Sequence, residues 1–110
     1  MLFRSWQRLG REFDELRAEY RSEMPAKLAR LDALWSRVTS GNAGVEELAE
    51  LRRALHTIAG SAGSFGLPEI GDAARAAENF LESTSDLGAE QRAEFARLLG
   101  ELRSAAQPPH

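Results

Sequence analysis

The apolar residues of the chain fall into four series in which they recur at steps of three and four, with polar residues between them. Steps of three and four place side chains on one face of an α-helix, so each series predicts an amphipathic helix that buries one face. Alternation of apolar and polar residues, which would indicate a half-buried strand, is missing, and Ala, Leu, Glu and Arg are abundant. The pattern therefore predicts an all-α fold.

The first series is the longest, and it continues past Pro25 without a change of phase. Proline inside a helix removes a hydrogen bond and clashes with the preceding turn, whereas the first turn of a helix tolerates it. We therefore expect one long helix that is kinked near Pro25, with two helices broken there as the alternative. We also expect Trp6, Phe13 and Trp35 to lie in the core. The series consists of Leu2, Trp6, Leu9, Phe13, Leu16, Tyr20, Met24, Leu28, Leu31, Trp35 and Val38.

Turn-forming residues separate the other three series. The cluster at 39–44 ends the first helix, Gly66 ends the second, Pro68 opens the third, and residues 83–88 precede the last. Such short connections favour antiparallel neighbours, so we predict an up-and-down antiparallel four-helix bundle with an N-terminal helical extension. The predicted division is an N-terminal extension at 1–11, the bundle at 12–104, and a disordered tail or linker at 105–110.

Composition and charge exclude several classes of function. A chain of 110 residues fits one domain, and its net charge of −3 lacks the basic excess of a nucleic-acid binder. Without cysteine it has no disulfides, no thiol catalysis and no cysteine-bound zinc. No apolar stretch is long enough to span a membrane, and the N-terminus does not read as a secretory leader, so we expect a cytoplasmic protein.

The segment from Leu55 to Gly66 is the informative one, because it has three glycines where the pattern predicts a helix. A glycine inside a helix costs about 1 kcal/mol relative to alanine, so its presence needs a reason. Helical geometry places His56 about 120° from the centre of the buried face, towards solvent. Its neighbours at three, four and seven positions on are the small residues Ala59, Gly60 and Gly63. Another protein could therefore approach the imidazole closely.

The chemistry of histidine fits that position. A neutral imidazole is a nucleophile near physiological pH, and phosphoryl transfer depends mainly on in-line positioning and neutralisation of charge. Arg52 and Arg53, one turn before His56, supply positive charge. One exposed histidine can therefore be the whole active residue, and no cluster of acidic residues and histidines suggests a metal site.

The sequence H-T-I-A-G-S-A-G-S-F-G at His56–Gly66 resembles the histidine-containing phosphotransfer (HPt) domain family. The flanking residues 46–53 and 67–78 support the resemblance, which covers roughly 12–104. It implies a phosphorylated histidine midway along the second bundle helix, which exchanges phosphate with an aspartate of a response-regulator receiver domain. It also implies a histidine kinase or hybrid kinase as a partner, Mg²⁺ held by the receiver, and no cofactor of the chain's own.

One position departs from the family pattern, because the lysine usually found three residues after the histidine is Ala59 here. We hypothesise that Arg52, Arg53 or Arg75 compensates for that lysine. Ser64 is a candidate for contact with phosphate or partner, with capping of backbone groups as the alternative.

Three functions are open at the level of sequence. The first is a phosphorelay intermediate, and the second is the phosphoacceptor domain of a chemotaxis-type kinase. The third is an interaction bundle that docks a receiver without transfer. We expect no autonomous kinase activity, because no ATP-binding motif is present, and a monomer, with a dimer through the N-terminal helix as the alternative.

Overall fold

The computed structural model describes residues 2–41 and 44–107, with the side chains from residue 7 onwards. The described residues form four helices and no strand, which confirms the all-α prediction. The helices are α1 (Leu2–Thr39), α2 (Val45–Ser64), α3 (Pro68–Ser83) and α4 (Ala89–Ala106).

Contacts between the helices show that neighbours run antiparallel. Late residues of α1 meet early residues of α2, as in the ion pair of Arg30 with Glu50, while Tyr20 lies at the other end of α2 against Phe65. Apart from Glu78, the buried residues are hydrophobic, and the largest fully buried side chains are Met24, Leu31, Leu51, Leu55, Ile70, Phe95 and Leu102. The arrangement is the up-and-down four-helix bundle that short connections predict.

Helix α1 passes through Pro25 without interruption, so the alternative of two separate helices is wrong. Its C-terminal part supplies Tyr20, Met24 and Leu31 to the core. The expectation that Phe13 lies in the core is also wrong, because its side chain is 39% exposed. Helix α2 ends near the level of Tyr20, and the turn at Gly66 that follows it reaches the side chain of Phe13 without burying it. The side chain of Trp6 lies outside the described residues.

The α2–α3 turn closes as the sequence predicts. Gly66 adopts a φ of +72°, a left-handed conformation that glycine enters without strain. Its N–H donates to the carbonyl of Gly63, and the N–H of Leu67 donates to the carbonyl of Ala62. These two bonds form a Schellman motif, and Pro68 then starts α3 at a position that needs no N–H donor.

Helix α4 continues two residues beyond the predicted end of the bundle. The predicted tail at 105–110 is therefore wrong at its start, because Ala105 and Ala106 are helical and Ala106 is buried in the core. Burial of that methyl group favours another half turn of helix. Residues 108–110, with His110, lie outside the described residues.

Candidate functional site

The site is built around His56, whose side chain is 76% exposed. It lies next to Leu55 on α2, and Leu55 and Ile58 both point into the core. Because successive residues of a helix are 100° apart, burial of Leu55 and Ile58 turns His56 outwards at the edge of the interface with α3. The imidazole is therefore held on a rigid helix and is open to another molecule.

Glu78 on α3 holds the imidazole from behind. Its side chain is 10% exposed, and its Oε2 lies 2.8 Å from Nδ1 of His56. An ionised carboxylate can only accept hydrogen bonds, so Nδ1 donates and carries the ring proton. The lone pair then belongs to Nε2, on the far side of the ring from Glu78. A carboxylate fixes the tautomer and orientation of histidine in this way at many reactive sites.

Close packing of α3 on α2 brings Glu78 to this position. A Cβ atom added to Gly71 would lie 3.2 Å from the carbonyl oxygen of Ala59 and 3.5 Å from the nitrogen of Gly63. A side chain at Gly71 would therefore push the two helices apart. The glycine that permits close packing within the bundle is Gly71, two turns before Glu78.

Gly60 and Gly63 have no such role inside the chain. A Cβ atom added to either would meet nothing within 4 Å, and both residues are exposed. The fold therefore has room for alanine at both positions, although alanine would favour the helix by about 1 kcal/mol. This leaves a bare strip of backbone beside the imidazole, where a flat partner surface can come close.

Ala59 is not part of that exposed strip. The sequence placed it beside His56 as a partner-contacting residue, but it is 2% exposed and packs under α3. The physical reason is the close packing of α3 on α2, since a Cβ atom added to Gly71 would lie 3.2 Å from the carbonyl oxygen of Ala59. The Cβ of Ala59 is therefore not available to a partner, and position 59 supplies no charge to the site.

Positive charge near His56 comes from the preceding turn of α2. The side chains of Arg52 and Arg53 line a shallow cleft together with His56, Glu78 and Glu82. Among the described residues, neither guanidinium forms an ion pair or a hydrogen bond. Arg75 is exposed on α3 but does not line this cleft.

The two serines after His56 make hydrogen bonds within the chain. The hydroxyl of Ser64 donates to the carbonyl of Gly60, and Ser64 lies eight residues, or about 12 Å along the helix, from His56. A phosphoryl group on His56 is therefore out of its reach. Ser61 bonds to the carbonyl of Thr57 and to the hydroxyl of Tyr20, on the side of α2 that faces α1.

Sequence reasoning missed Glu78, although the sequence contains a signal for it. Glu78 follows Ala74 by one turn and precedes Leu81 by three residues, so it falls on the buried stripe of α3. A carboxylate on a buried stripe needs a hydrogen-bonding partner, because burial of an unpaired charge is costly. The spacing alone could not identify the partner, which lies on another helix.

The described residues hold no cluster of three or more histidine, cysteine, aspartate or glutamate side chains that could bind a metal ion. In the same part of the chain, every helix is too short or too polar to cross a lipid bilayer. The arrangement offers one nucleophilic nitrogen, a buried carboxylate behind it and two cations beside it.

The chain is thus a helical bundle that presents one carboxylate-bound histidine next to bare backbone. The Hpt domain family matches residues 15–106, and the chain belongs to that family. No curated protein and no solved structure gives a significant match to the chain. Membership confirms the resemblance at His56–Gly66 and connects the chain with phosphotransfer in two-component signalling, in which Hpt domains interact with receiver domains and kinases.

Proposed function

We propose that the chain is a phosphorelay intermediate that accepts a phosphoryl group on His56 from an aspartate of a response-regulator receiver domain and donates it to such an aspartate. The observation that supports this most directly is the 2.8 Å contact between Nδ1 of the exposed His56 and the buried carboxylate of Glu78. This contact leaves a lone pair on Nε2, the ring nitrogen on the solvent side.

The transfer step needs only this nitrogen and a phosphorylated aspartate. The lone pair of Nε2 attacks phosphorus, an N–P bond forms, and the bond between phosphorus and the aspartate oxygen breaks, so that aspartate leaves as a carboxylate. Nδ1 keeps its proton throughout. The ring gains positive charge as the N–P bond forms, and the carboxylate of Glu78 stabilises that charge. The reverse sequence returns the phosphoryl group to an aspartate.

Arg52 and Arg53 are the chain's own cations for the phosphoryl oxygens in this proposal. Both line the cleft of His56, and both guanidinium groups have room to turn towards an anion. They would replace the charge that family members place at the position of Ala59. Mg²⁺ would be held by the receiver domain, so the chain itself needs no metal ligand.

The arginine hypothesis is tested with Arg52→Ala, Arg53→Ala and Arg75→Ala, and Arg37→Ala is the control for the loss of one positive charge. A cation within reach of a phosphoryl group contributes about 1 kcal/mol near a protein surface, so each effective replacement slows transfer severalfold. We expect this effect at Arg52 or Arg53. Unchanged transfer in the first three variants would remove the hypothesis.

The proposed function is tested by incubating the chain with a receiver domain that carries a labelled aspartyl phosphate. We expect label to move to the chain, and to remain on the receiver with His56→Gln. Binding of the receiver without transfer would support the docking bundle instead. Transfer from a kinase but not from a receiver would support the phosphoacceptor domain of a chemotaxis-type kinase. Label taken up from ATP alone would contradict the absence of autonomous kinase activity.

A further inference from the structure

The N-terminal part of α1 carries an apolar stripe that the bundle does not cover. Leu9, Phe13 and Leu16 are 56%, 39% and 47% exposed. The contacts of this part with the rest of the chain are confined to the end of α2, where Phe13 and Arg17 approach Gly66. The family match begins at residue 15, so Leu9 and Phe13 lie outside the matched residues. The bundle therefore does not account for the apolar character of this stripe.

The spacing of the stripe indicates a helical partner. From Leu2 to Tyr20 the apolar residues other than Phe3 and Ala18 follow steps of four, three, four, three and four, which is a repeat of 3.5 residues. A strict repeat of 3.5 residues makes a narrow seam that packs against one other helix in a coiled coil. The wider stripe of a helix that lies on a globular surface requires more apolar residues in each pair of turns. The members of the repeat are Leu2, Trp6, Leu9, Phe13, Leu16 and Tyr20.

The segment also lacks the features that stabilise an isolated helix. Its first turn contains no acidic residue. Arginines at positions 4, 8 and 11 instead place positive charge near the helix N-terminus, where the helix dipole is already positive. The first turns of α1 are therefore marginal in water, and packing against a partner would contribute most of their stability.

Charge along α1 favours a second copy of the chain in antiparallel orientation. Residues 4–11 contain three arginines and no acidic residue, whereas residues 12–19 contain Glu12, Asp14, Glu15 and Glu19 with one arginine, Arg17. Antiparallel pairing places the basic part of each helix beside the acidic part of the other, whereas parallel pairing places like charges together.

The shape of the molecule leads to the same orientation. The chain is 60 Å long and about 24 Å wide, because α1 projects from one end of the bundle. On the apolar face of α1, Phe65 already covers Tyr20. A parallel copy would bring a second bundle to this same level, and the two bundles would compete for space. Two antiparallel copies place their bundles at opposite ends.

We infer that two copies of the chain form a symmetric dimer through the N-terminal parts of α1, which pack as an antiparallel coiled coil with Leu9 near the two-fold axis. Each His56 lies on a bundle at its own end of the dimer and stays accessible to a partner. This inference does not depend on phosphoryl transfer, so either can fail without the other.

The mass of the chain in solution tests the dimer. At concentrations up to about 100 µM, where a short two-helix interface is populated, light scattering should give twice the 12.1 kDa of one chain. Leu9→Glu places a charge in the seam and should give the mass of one chain. Gln7→Glu adds the same charge outside the seam and should keep the dimer. A single-chain mass for the unaltered protein, or a dimer that survives Leu9→Glu, would overturn the inference.

The orientation is tested with one spin label per chain, because the protein has no cysteine of its own. Ser22→Cys lies 13 residues from Leu9, about 20 Å along the helix, so labels in an antiparallel dimer should be about 40 Å apart. In a parallel dimer, with helix axes 8–10 Å apart, they would be within about 20 Å. A distance between the labels of about 20 Å or less would overturn the antiparallel arrangement.

Discussion

Replacing Glu78 by glutamine changes the contact behind the imidazole and almost nothing else. The side chain keeps its length and volume, so the packing of α3 on α2 is retained. An amide group, however, can donate a hydrogen bond to Nδ1 of His56 where the carboxylate can only accept one. The amide oxygen can still accept from Nδ1, so the ring proton is no longer confined to Nδ1, and the negative charge that stabilises the imidazole cation is lost.

The expected size of the effect follows from the kind of hydrogen bond that is lost. A hydrogen bond to a charged group contributes about 1.5–3 kcal/mol, and about 1.4 kcal/mol corresponds to a factor of ten in rate. We therefore expect Glu78→Gln to slow phosphoryl transfer to His56 by about 10- to 150-fold. The free energy of unfolding should change by less than about 1 kcal/mol, because a buried carboxylate that costs desolvation is replaced by a neutral amide.

The assay combines the rate of transfer from a phosphorylated receiver with ¹⁵N NMR of the imidazole, which reports the tautomer directly. Glu69→Gln is the control, because Glu69 is exposed on the same helix and far from the cleft. Glu78→Gln should change both the rate and the tautomer, and the control should change neither. The reasoning is refuted by a Glu78→Gln protein that transfers phosphate at the original rate with the proton still on Nδ1.

Three further predictions concern the helix surfaces around the site. Gly60→Gln and Gly100→Gln should each raise the melting temperature by about 2–4 °C, because both glycines are helical with open space around them. Only Gly60→Gln should slow phosphoryl transfer. Equal transfer rates in the two variants would contradict the proposal that a partner contacts the exposed backbone beside His56. Gly71→Leu should destabilise the bundle by about 1–3 kcal/mol in thermal unfolding, and a neutral result would contradict the close packing of α3 on α2. Tyr20→Phe should lower the free energy of unfolding by about 0.5–1.5 kcal/mol in urea titrations, because the hydroxyl of Tyr20 forms a hydrogen bond with Ser61. The rate of phosphoryl transfer should stay unchanged, and a slower transfer would contradict a purely structural role of Tyr20.

Much of the fold could be predicted from sequence because each helix carries its own signals. The 3.6-residue spacing of Leu51, Leu55 and Ile58 marks the buried face of α2, and the left-handed Gly66 with Pro68 two residues later marks the turn. These signals are local, since they depend on backbone geometry within a few residues. For the same reason the exposure of His56 could be predicted from its angle to its neighbours on α2.

The parts that sequence reasoning missed depend on how one helix sits against another. Ala59 is buried because Gly71 lets α3 approach closely, and Glu78 reaches His56 for the same reason. Neither the burial of Ala59 nor the contact between Glu78 and His56 can be predicted from the periodicity of a single helix. Phe13 is a residue that was predicted to be buried but is exposed. Its spacing continues the apolar series of α1 beyond the point where α2 ends, and the spacing within one helix does not reveal the length of its neighbour.

The most direct test of the account is to locate the phosphoryl group on the phosphorylated chain by NMR of ¹⁵N-labelled histidine coupled to ³¹P. With Nδ1 bound to Glu78, phosphorus should couple to Nε2 of His56, and the proton should remain on Nδ1. Phosphorus attached to Nδ1, or to any residue other than His56, would contradict the central claim that the buried carboxylate directs the reactive nitrogen to solvent.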